Sequence, residues 1–124
     1  MGKKQRTIQW RDECEASNYP AAVSYLSLIY APKRANKLVA QLRKDALTAF
    51  KAKDIFRASG LSLLGVSNFH VEKDRDKIKR GKALSPLLLV RDPDNGKVIV
   101  ADGYHRLCAV YGFDEDALIS CKIV

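Results

Sequence analysis

One short segment, residues 101–109, holds the side chains best suited to binding a phosphate or carboxylate group. Its sequence is Ala-Asp-Gly-Tyr-His-Arg-Leu-Cys-Ala, and it follows an apolar run. The pattern predicts a strand, a tight turn at Asp102 and Gly103, and then the first turn of a helix. The free N–H groups at the start of a helix favour anions, and an Arg and a His placed there can add charge-assisted hydrogen bonds. The segment therefore predicts an anion-binding corner.

Arg106 and His105 are the leading candidates for contact with the anion. Arg106 can hold a phosphate with two N–H groups, and the alternative is an ion pair with Asp102 or with the acidic residues at 114–116. His105 can donate to a phosphate or transfer a proton near neutral pH as a catalytic residue. The alternative for His105 is a structural histidine whose hydrogen bonds are satisfied within the fold.

Asp102, Gly103 and Tyr104 complete the corner. Asp102 has three candidate roles: it caps the helix, ligates Mg²⁺ through a carboxylate oxygen, or acts as a catalytic base. Gly103 serves the turn and lets the backbone approach a ligand closely. Tyr104 is counted with Gly103 among the phosphate-binding candidates.

Further cations for a phosphate are expected from the charged segment before the corner. Lys73 and Lys77 are the chosen candidates, ahead of Lys79 and Lys82, and the alternative for each lysine is solvated surface. Ser85, just before an apolar run, can lend a hydroxyl or a backbone N–H group.

The chain is basic, with a net charge of +8 over 124 residues. Residues 1–62 hold 12 Lys or Arg against 5 Asp or Glu, whereas residues 63–124 hold 10 against 9. The first half can therefore face a polyanion such as DNA. The alternative is that these cations only solvate exposed helix faces.

Two features of the sequence predict the cellular compartment: the three cysteines and the lack of a long apolar stretch. Cys14, Cys108 and Cys121 form no CxxC pair and are odd in number, which fits thiols packed in the core of a cytoplasmic protein. No apolar stretch is long enough to span a membrane, and no secretory signal is visible.

Apolar spacing predicts a helical first half and a second half that mixes strands with helices. Trp10 is expected to pin a polar tail, Asn18 to cap the first helix, and Gly60 to end the third. An Asp-Pro-Asp-Asn-Gly turn predicts a hairpin between two apolar runs. Helices are predicted over 20–30, 33–47, 48–59, 72–80 and 103–112, and strands over 63–66 with 69–71, 86–91, 97–101 and 118–124.

These elements predict one α/β (α+β) domain with a tail at 1–17, a helical segment at 18–62 and a core at 63–124. The core pattern is an apolar strand after Pro86, a turn, a second strand, Asp102-Gly-Tyr-His-Arg106, an apolar helix and a last strand. This pattern resembles the ParB/sulfiredoxin superfamily over roughly residues 64–124. The resemblance implies that the helical segment packs on a small mixed sheet of the ParB/sulfiredoxin type.

The resemblance also implies a ligand: a nucleoside triphosphate, such as ATP or CTP, bound with Mg²⁺ at the corner. An NTPase or phosphotransferase activity is the corresponding enzyme hypothesis. Tyr104 stands where sulfiredoxins carry their nucleophilic cysteine, so the chain is not expected to be a sulfiredoxin. Cys108 lies about one helical turn later and is expected to pack in the core.

A second hypothesis is a binding protein without catalysis that uses the basic helical half for DNA or another partner. Residues 52–67 resemble a helix-turn-helix, in which a recognition helix would start near Ser62. The conformation of residues 62–71 distinguishes the two hypotheses: an exposed helix there favours DNA binding, whereas a buried strand argues against it.

Overall fold

The computed structural model describes residues 7–63 and 68–124 of the chain. In these ranges the fold has five α-helices and four β-strands. The helices are α1 (Asn18–Leu26), α2 (Pro32–Lys44), α3 (Ala52–Ser59), α4 (Phe69–Lys79) and α5 (Tyr104–Phe113). The strands are β1 (Thr48–Lys51), β2 (Leu87–Asp92), β3 (Lys97–Asp102) and β4 (Leu118–Ile123).

The four strands form one mixed sheet in the order β1-β4-β2-β3. β2 pairs antiparallel with β3, β1 pairs antiparallel with β4, and β2 pairs parallel with β4. A short 3₁₀ turn over Pro93–Asn95 connects β2 to β3. The predicted hairpin and the predicted α+β fold with a small mixed sheet are thus confirmed.

Both faces of the sheet are covered, and β2 shows why. Its residues Leu87 to Val90 are all buried, and successive side chains of a strand point to opposite faces. Leu87 and Leu89 pack in a cluster with residues of α3, α4 and α5. Leu88 and Val90 pack in a second cluster with residues of α1 and α2. An apolar run with no polar alternation is what a strand buried on both faces requires.

The segment predicted to be helical over 18–62 is divided between the two faces. Helices α1 and α2 lie on one face, as expected, but α3 packs on the opposite face with the core. The prediction of helix across 48–59 is wrong at 48–51, which form β1 at the sheet edge. Thr48 pairs with Cys121, and Lys51 pairs with Leu118. The four residues of β1 are all exposed, so the sequence shows no alternation of buried apolar and polar residues that would mark β1 as a strand.

The strand predicted at 69–71 is also wrong, because these residues are the first turn of α4. The Asn68 side chain accepts hydrogen bonds from the N–H groups of His70 (2.9 Å) and Val71 (3.2 Å). This side-chain cap satisfies two N–H groups that otherwise have no partner in the helix. The other part of that predicted strand, 63–66, falls mostly within 64–67, outside the described residues.

The N-terminal tail is held to the core at Trp10, as predicted, through an isolated parallel bridge to Leu84. The Leu84 carbonyl accepts from the Arg11 N–H, and the Leu84 N–H donates to the Gln9 carbonyl, both at 2.9 Å. Asn18 does not cap α1: it is the first helical residue, and the cap position is Ser17. Gly60 ends α3 with a φ of +67°, as predicted. In the part of the chain that the structure describes, none of the helices combines the length and the apolar character needed to cross a membrane.

Candidate functional site

A polar cavity of about 220 Å³ lies where β3 ends, α5 begins and α4 passes alongside. Of the eight residues predicted for the site, seven line this cavity and one, Ser85, does not. Two further residues, His70 and Asp74, complete the lining. The lining residues are His70, Lys73, Asp74, Lys77, Asp102, Gly103, Tyr104, His105 and Arg106.

Helix α4 contributes one face to this cavity. The lining positions 70, 73, 74 and 77 follow the spacing of a single stripe along an α-helix. Val71 and Ile78 lie on the inner side of α4 and are buried in the core. Sequence reasoning missed Asp74, although its spacing from Lys73 and Lys77 on a predicted helix was a signal for it.

Gly103 makes the turn from β3 into α5. Its φ is +109°, a conformation that L side chains rarely adopt. A Cβ at this position would lie 2.6 Å from Leu87 Cγ and 2.9 Å from Arg106 Nη2. The predicted role of Gly103 in the turn is therefore confirmed, and the close neighbours are a core leucine and the site arginine.

The N-terminus of α5 begins at a glycine. Gly103 occupies the cap position, and no side chain among residues 7–63 and 68–124 forms a capping hydrogen bond at that end of the helix. Asp102 therefore does not cap α5, and that candidate role is wrong. The first N–H groups of α5 leave the positive end of the helix dipole at the cavity.

Asp102 is instead paired with Arg106. Arg106 Nη2 donates to Asp102 Oδ2 at 2.9 Å, and the two side chains are only 17% and 19% exposed. The same Nη2 lies 3.5 Å from Asn18 Oδ1. Arg106 Nε is buried without a hydrogen-bond partner among the described residues. The predicted alternative for Arg106, an ion pair with Asp102, is thus present in the structure. The guanidinium group still has N–H groups that are not used in hydrogen bonds.

Ser85 lies behind this pair rather than in the cavity. It is 3% exposed, and its Oγ donates to Asn18 Oδ1 at 2.5 Å. The Glu15 N–H donates to the same Oγ at 3.0 Å. The predicted contact of Ser85 with phosphate does not fit this position. Ser85 instead holds Asn18, which touches Arg106.

The two histidines of the chain meet at the cavity. The ring centroids of His70 and His105 are 4.8 Å apart, and the ring planes are inclined by 41°. Burial lowers the pKa of His105 below 6.5, and the nearby His70 and Arg106 lower it further, against an opposing effect of Asp74. His105 therefore favours its neutral form near pH 7, which can accept a proton.

Two other lining side chains are constrained by their surroundings. The Tyr104 hydroxyl donates a hydrogen bond to the Ser62 carbonyl, which ties the start of α5 to the loop after α3. Burial raises the pKa of Asp74 above 3.8, although Arg106 and Lys77 oppose that effect. Cys108 is 1% exposed and packs in the core, as predicted.

The residues present do not fit a metal ion held by the protein alone. Among residues 7–63 and 68–124, no group of three or more His, Cys, Asp or Glu side chains is placed to hold one. The Asp102 carboxylate, proposed as the Mg²⁺ ligand, is occupied by Arg106. Mg²⁺ usually needs one or two carboxylates together with phosphate oxygens and waters. A Mg²⁺-binding role of Asp102 stays a prediction.

The helix-turn-helix predicted over 52–67 falls partly outside the described residues. Its first helix is present as α3, and Gly60 ends that helix. Residues 61–63 have no regular structure, so no helix begins at Ser62, and residues 64–67 are not described. Residues 69–71 are helical, with Phe69 and His70 exposed, so the buried strand that would argue against DNA binding does not lie there. The helix-turn-helix stays a prediction.

Comparisons with models of protein families, with curated proteins and with solved structures found no match for this chain. The resemblance to the ParB/sulfiredoxin superfamily consequently stays a prediction based on the residues of the corner.

Proposed function

We propose that this chain is a nucleotide-binding protein that holds phosphate groups in the cavity between α4 and α5. The observation that carries the proposal is the convergence of Lys73, Lys77 and Arg106 on the uncapped N-terminus of α5. Lysine and arginine donors combined with free helix N–H groups are a recurrent arrangement for binding phosphate. The resemblance to the ParB/sulfiredoxin superfamily supports a nucleotide as the source of that phosphate.

The charge of the lining favours an anion only moderately. Three cationic side chains face two carboxylates in the lining, so these five groups carry a net charge of +1. The Asp102 carboxylate opposes a phosphate directly, yet it also holds Arg106 in place. We therefore assign Asp102 the role of positioning Arg106, in preference to catalysis.

If the bound nucleotide is turned over, as an NTPase or phosphotransferase would require, His105 is the proposed proton acceptor. It lines the cavity, and burial keeps it in its neutral form. Asp102 is a poorer base because its carboxylate is engaged by Arg106. Any Mg²⁺ would enter on the nucleotide phosphates.

The proposal is tested by thermal unfolding of the full chain with ATP, CTP, GTP and ADP, each with and without Mg²⁺. A ligand at 100 times its dissociation constant stabilises by about 2.7 kcal/mol, which is a shift of several degrees for a domain of this size. The double variant Lys73→Gln/Lys77→Gln should raise Kd at least tenfold, or about 1.4 kcal/mol. The matched control Lys33→Gln/Lys37→Gln removes the same charge from α2 on the opposite face of the sheet.

The two double variants, called the α4 double (Lys73→Gln/Lys77→Gln) and the α2 double (Lys33→Gln/Lys37→Gln), decide the outcome. A nucleotide-induced shift in Tm that is lost in the α4 double and kept in the α2 double supports the proposal. A shift that both doubles reduce equally means that net charge, rather than the cavity, attracts the nucleotide. No shift with any of the four nucleotides contradicts the proposal. Arg106→Lys is a useful third variant, since it keeps the charge opposite Asp102 and removes the guanidinium fork.

A second candidate function, binding of DNA or another polyanion, is favoured by one observation on α2. This helix carries five lysines or arginines and no acidic residue, and all five are exposed. They are Lys33, Arg34, Lys37, Arg43 and Lys44. The same two double variants separate the candidates, because duplex DNA affinity at several salt concentrations should fall in the α2 double and hold in the α4 double.

A further inference from the structure

A row of four aromatic rings runs from the cavity out to the protein surface. Tyr104 and His105 have ring centroids 5.7 Å apart, His105 and His70 are 4.8 Å apart, and His70 and Phe69 are 5.5 Å apart. The first three residues line the cavity, whereas Phe69 stands outside it. Phe69 is 73% exposed, more than any other phenylalanine, tyrosine or tryptophan among the described residues.

The position of Phe69 is fixed by the start of α4. The Asn68 cap closes the first turn, so the ring of Phe69 is carried by helical backbone. Phe69 precedes Lys73 by four residues, and residues four apart on a helix are neighbours on its surface. Phe69 therefore lies beside the cation stripe, at the edge of the cavity.

Phe69 belongs to neither hydrophobic cluster of the core. Fully burying a phenylalanine stabilises a protein by about 1.5–3 kcal/mol relative to leaving it exposed. Phe69 contributes little of that stabilisation to the fold. Its ring is available to a ligand, next to side chains suited to hold a phosphate.

The size of the cavity determines which part of a nucleotide can enter it. Pockets that enclose a whole small molecule measure roughly 300–1,000 Å³, and this cavity measures about 220 Å³. It can take phosphate groups, but the nucleoside must extend beyond the rim. The exposed Phe69 ring is the aromatic surface beside that rim.

We infer that Phe69 is the base-stacking residue of a mononucleotide whose phosphates occupy the cavity. This inference rests on the proposed function and extends it to the base. Aromatic side chains stack on every nucleobase, because each base has a π-face. ATP, GTP, CTP and UTP therefore all gain affinity from Phe69, and the site discriminates weakly among them.

The test compares ATP with inorganic tripolyphosphate, which has the phosphates but no base. Titration calorimetry of the full chain should show that Phe69→Ala weakens ATP binding by about 5- to 150-fold, the equivalent of about 1–3 kcal/mol. The affinity for tripolyphosphate should stay unchanged. Leu28→Ala is the matched control, since Leu28 is 83% exposed and does not line the cavity.

A second variant gives a direct signal of stacking. Phe69→Trp should keep the ATP affinity of the wild type, and its added tryptophan fluorescence should be quenched by ATP and left unchanged by tripolyphosphate. If Phe69→Trp keeps the ATP affinity and Phe69→Ala loses it, the two results together support stacking.

Three results overturn the inference. If Phe69→Ala leaves ATP binding unchanged, the base does not contact the ring, although the phosphate site stands. If Phe69→Ala weakens ATP and tripolyphosphate equally, Phe69 acts on the phosphate cavity instead of the base. If neither ligand binds the wild type, the proposed function itself fails, and the inference fails with it.

Discussion

Replacing Gly103 by alanine should destabilise the protein far more than an ordinary Gly→Ala change. Two separate penalties apply. The backbone at φ +109° is strained for any residue with a Cβ, at about 1–3 kcal/mol. The new Cβ would also lie 2.6 Å from Leu87 Cγ, and Leu87 is fully buried. Forcing extra volume into a packed core costs about 1–3 kcal/mol.

The expected net loss in the free energy of unfolding is about 1–5.6 kcal/mol, after allowing for about 0.4–1 kcal/mol that alanine recovers by restricting the unfolded chain. At about 4 °C per kcal/mol for a domain of this size, Tm falls by about 4–22 °C. The assay is urea denaturation followed by circular dichroism at 25 °C, together with a thermal scan.

Gly60→Ala is the matched control for this prediction. Gly60 also has a positive φ of +67°, but a Cβ there would meet nothing within 4 Å. The control carries the backbone penalty of about 1–2 kcal/mol without the collision. Equal losses of stability in the two variants would refute the argument that Leu87 and the Arg106 guanidinium crowd the turn.

Three further predictions concern buried or partly buried groups. Lys122→Met should lower stability by about 1–3 kcal/mol in urea denaturation, because the Lys122 ammonium donates to Glu13, to Tyr19 and to the Arg43 carbonyl. An unchanged midpoint would mean that these bonds add nothing. The lowered pKa of His105 means that the unfolded chain takes up its proton more readily, so stability should fall as the pH drops below about 6.5. His105→Gln should flatten that slope between pH 7 and 5, and an unaltered slope would refute the assignment. Burial raises the pKa of Cys121 to about 12, and the other two cysteines are buried as well. All three thiols should react with a thiol reagent at pH 8 only after denaturant is added; rapid labelling of the native protein would contradict this.

Local sequence signals predicted the hairpin and the corner well. The Asp-Pro-Asp-Asn-Gly run between two apolar runs placed the β2–β3 turn within a residue or two. Asp102 and Gly103 marked the passage from strand to helix, because few residues other than glycine adopt a positive φ. These features depend on neighbours in the chain, so a single sequence is enough to show them.

Elements that depend on distant partners were predicted poorly. β1 is a strand because β4 offers it hydrogen-bond partners, and its own exposed residues carry no strand pattern. Residues 69–71 are apolar enough to suggest a strand, but the cap at Asn68 and packing against α5 make them helical. For β1 the tertiary contact decided the structure, whereas at 69–71 the local cap and the packing against α5 acted together.

The sequence by itself determined which residues stand at the turn into α5, since turn chemistry and helical spacing are local properties. The tertiary structure decided what those residues meet. Packing of α4 against α5 brought His70 and Asp74 to the cavity, and packing of α1 on the sheet set Asn18 beside Arg106. These contacts join segments far apart in the chain. They arise from the burial of separate apolar faces, which the spacing of residues in one segment does not specify.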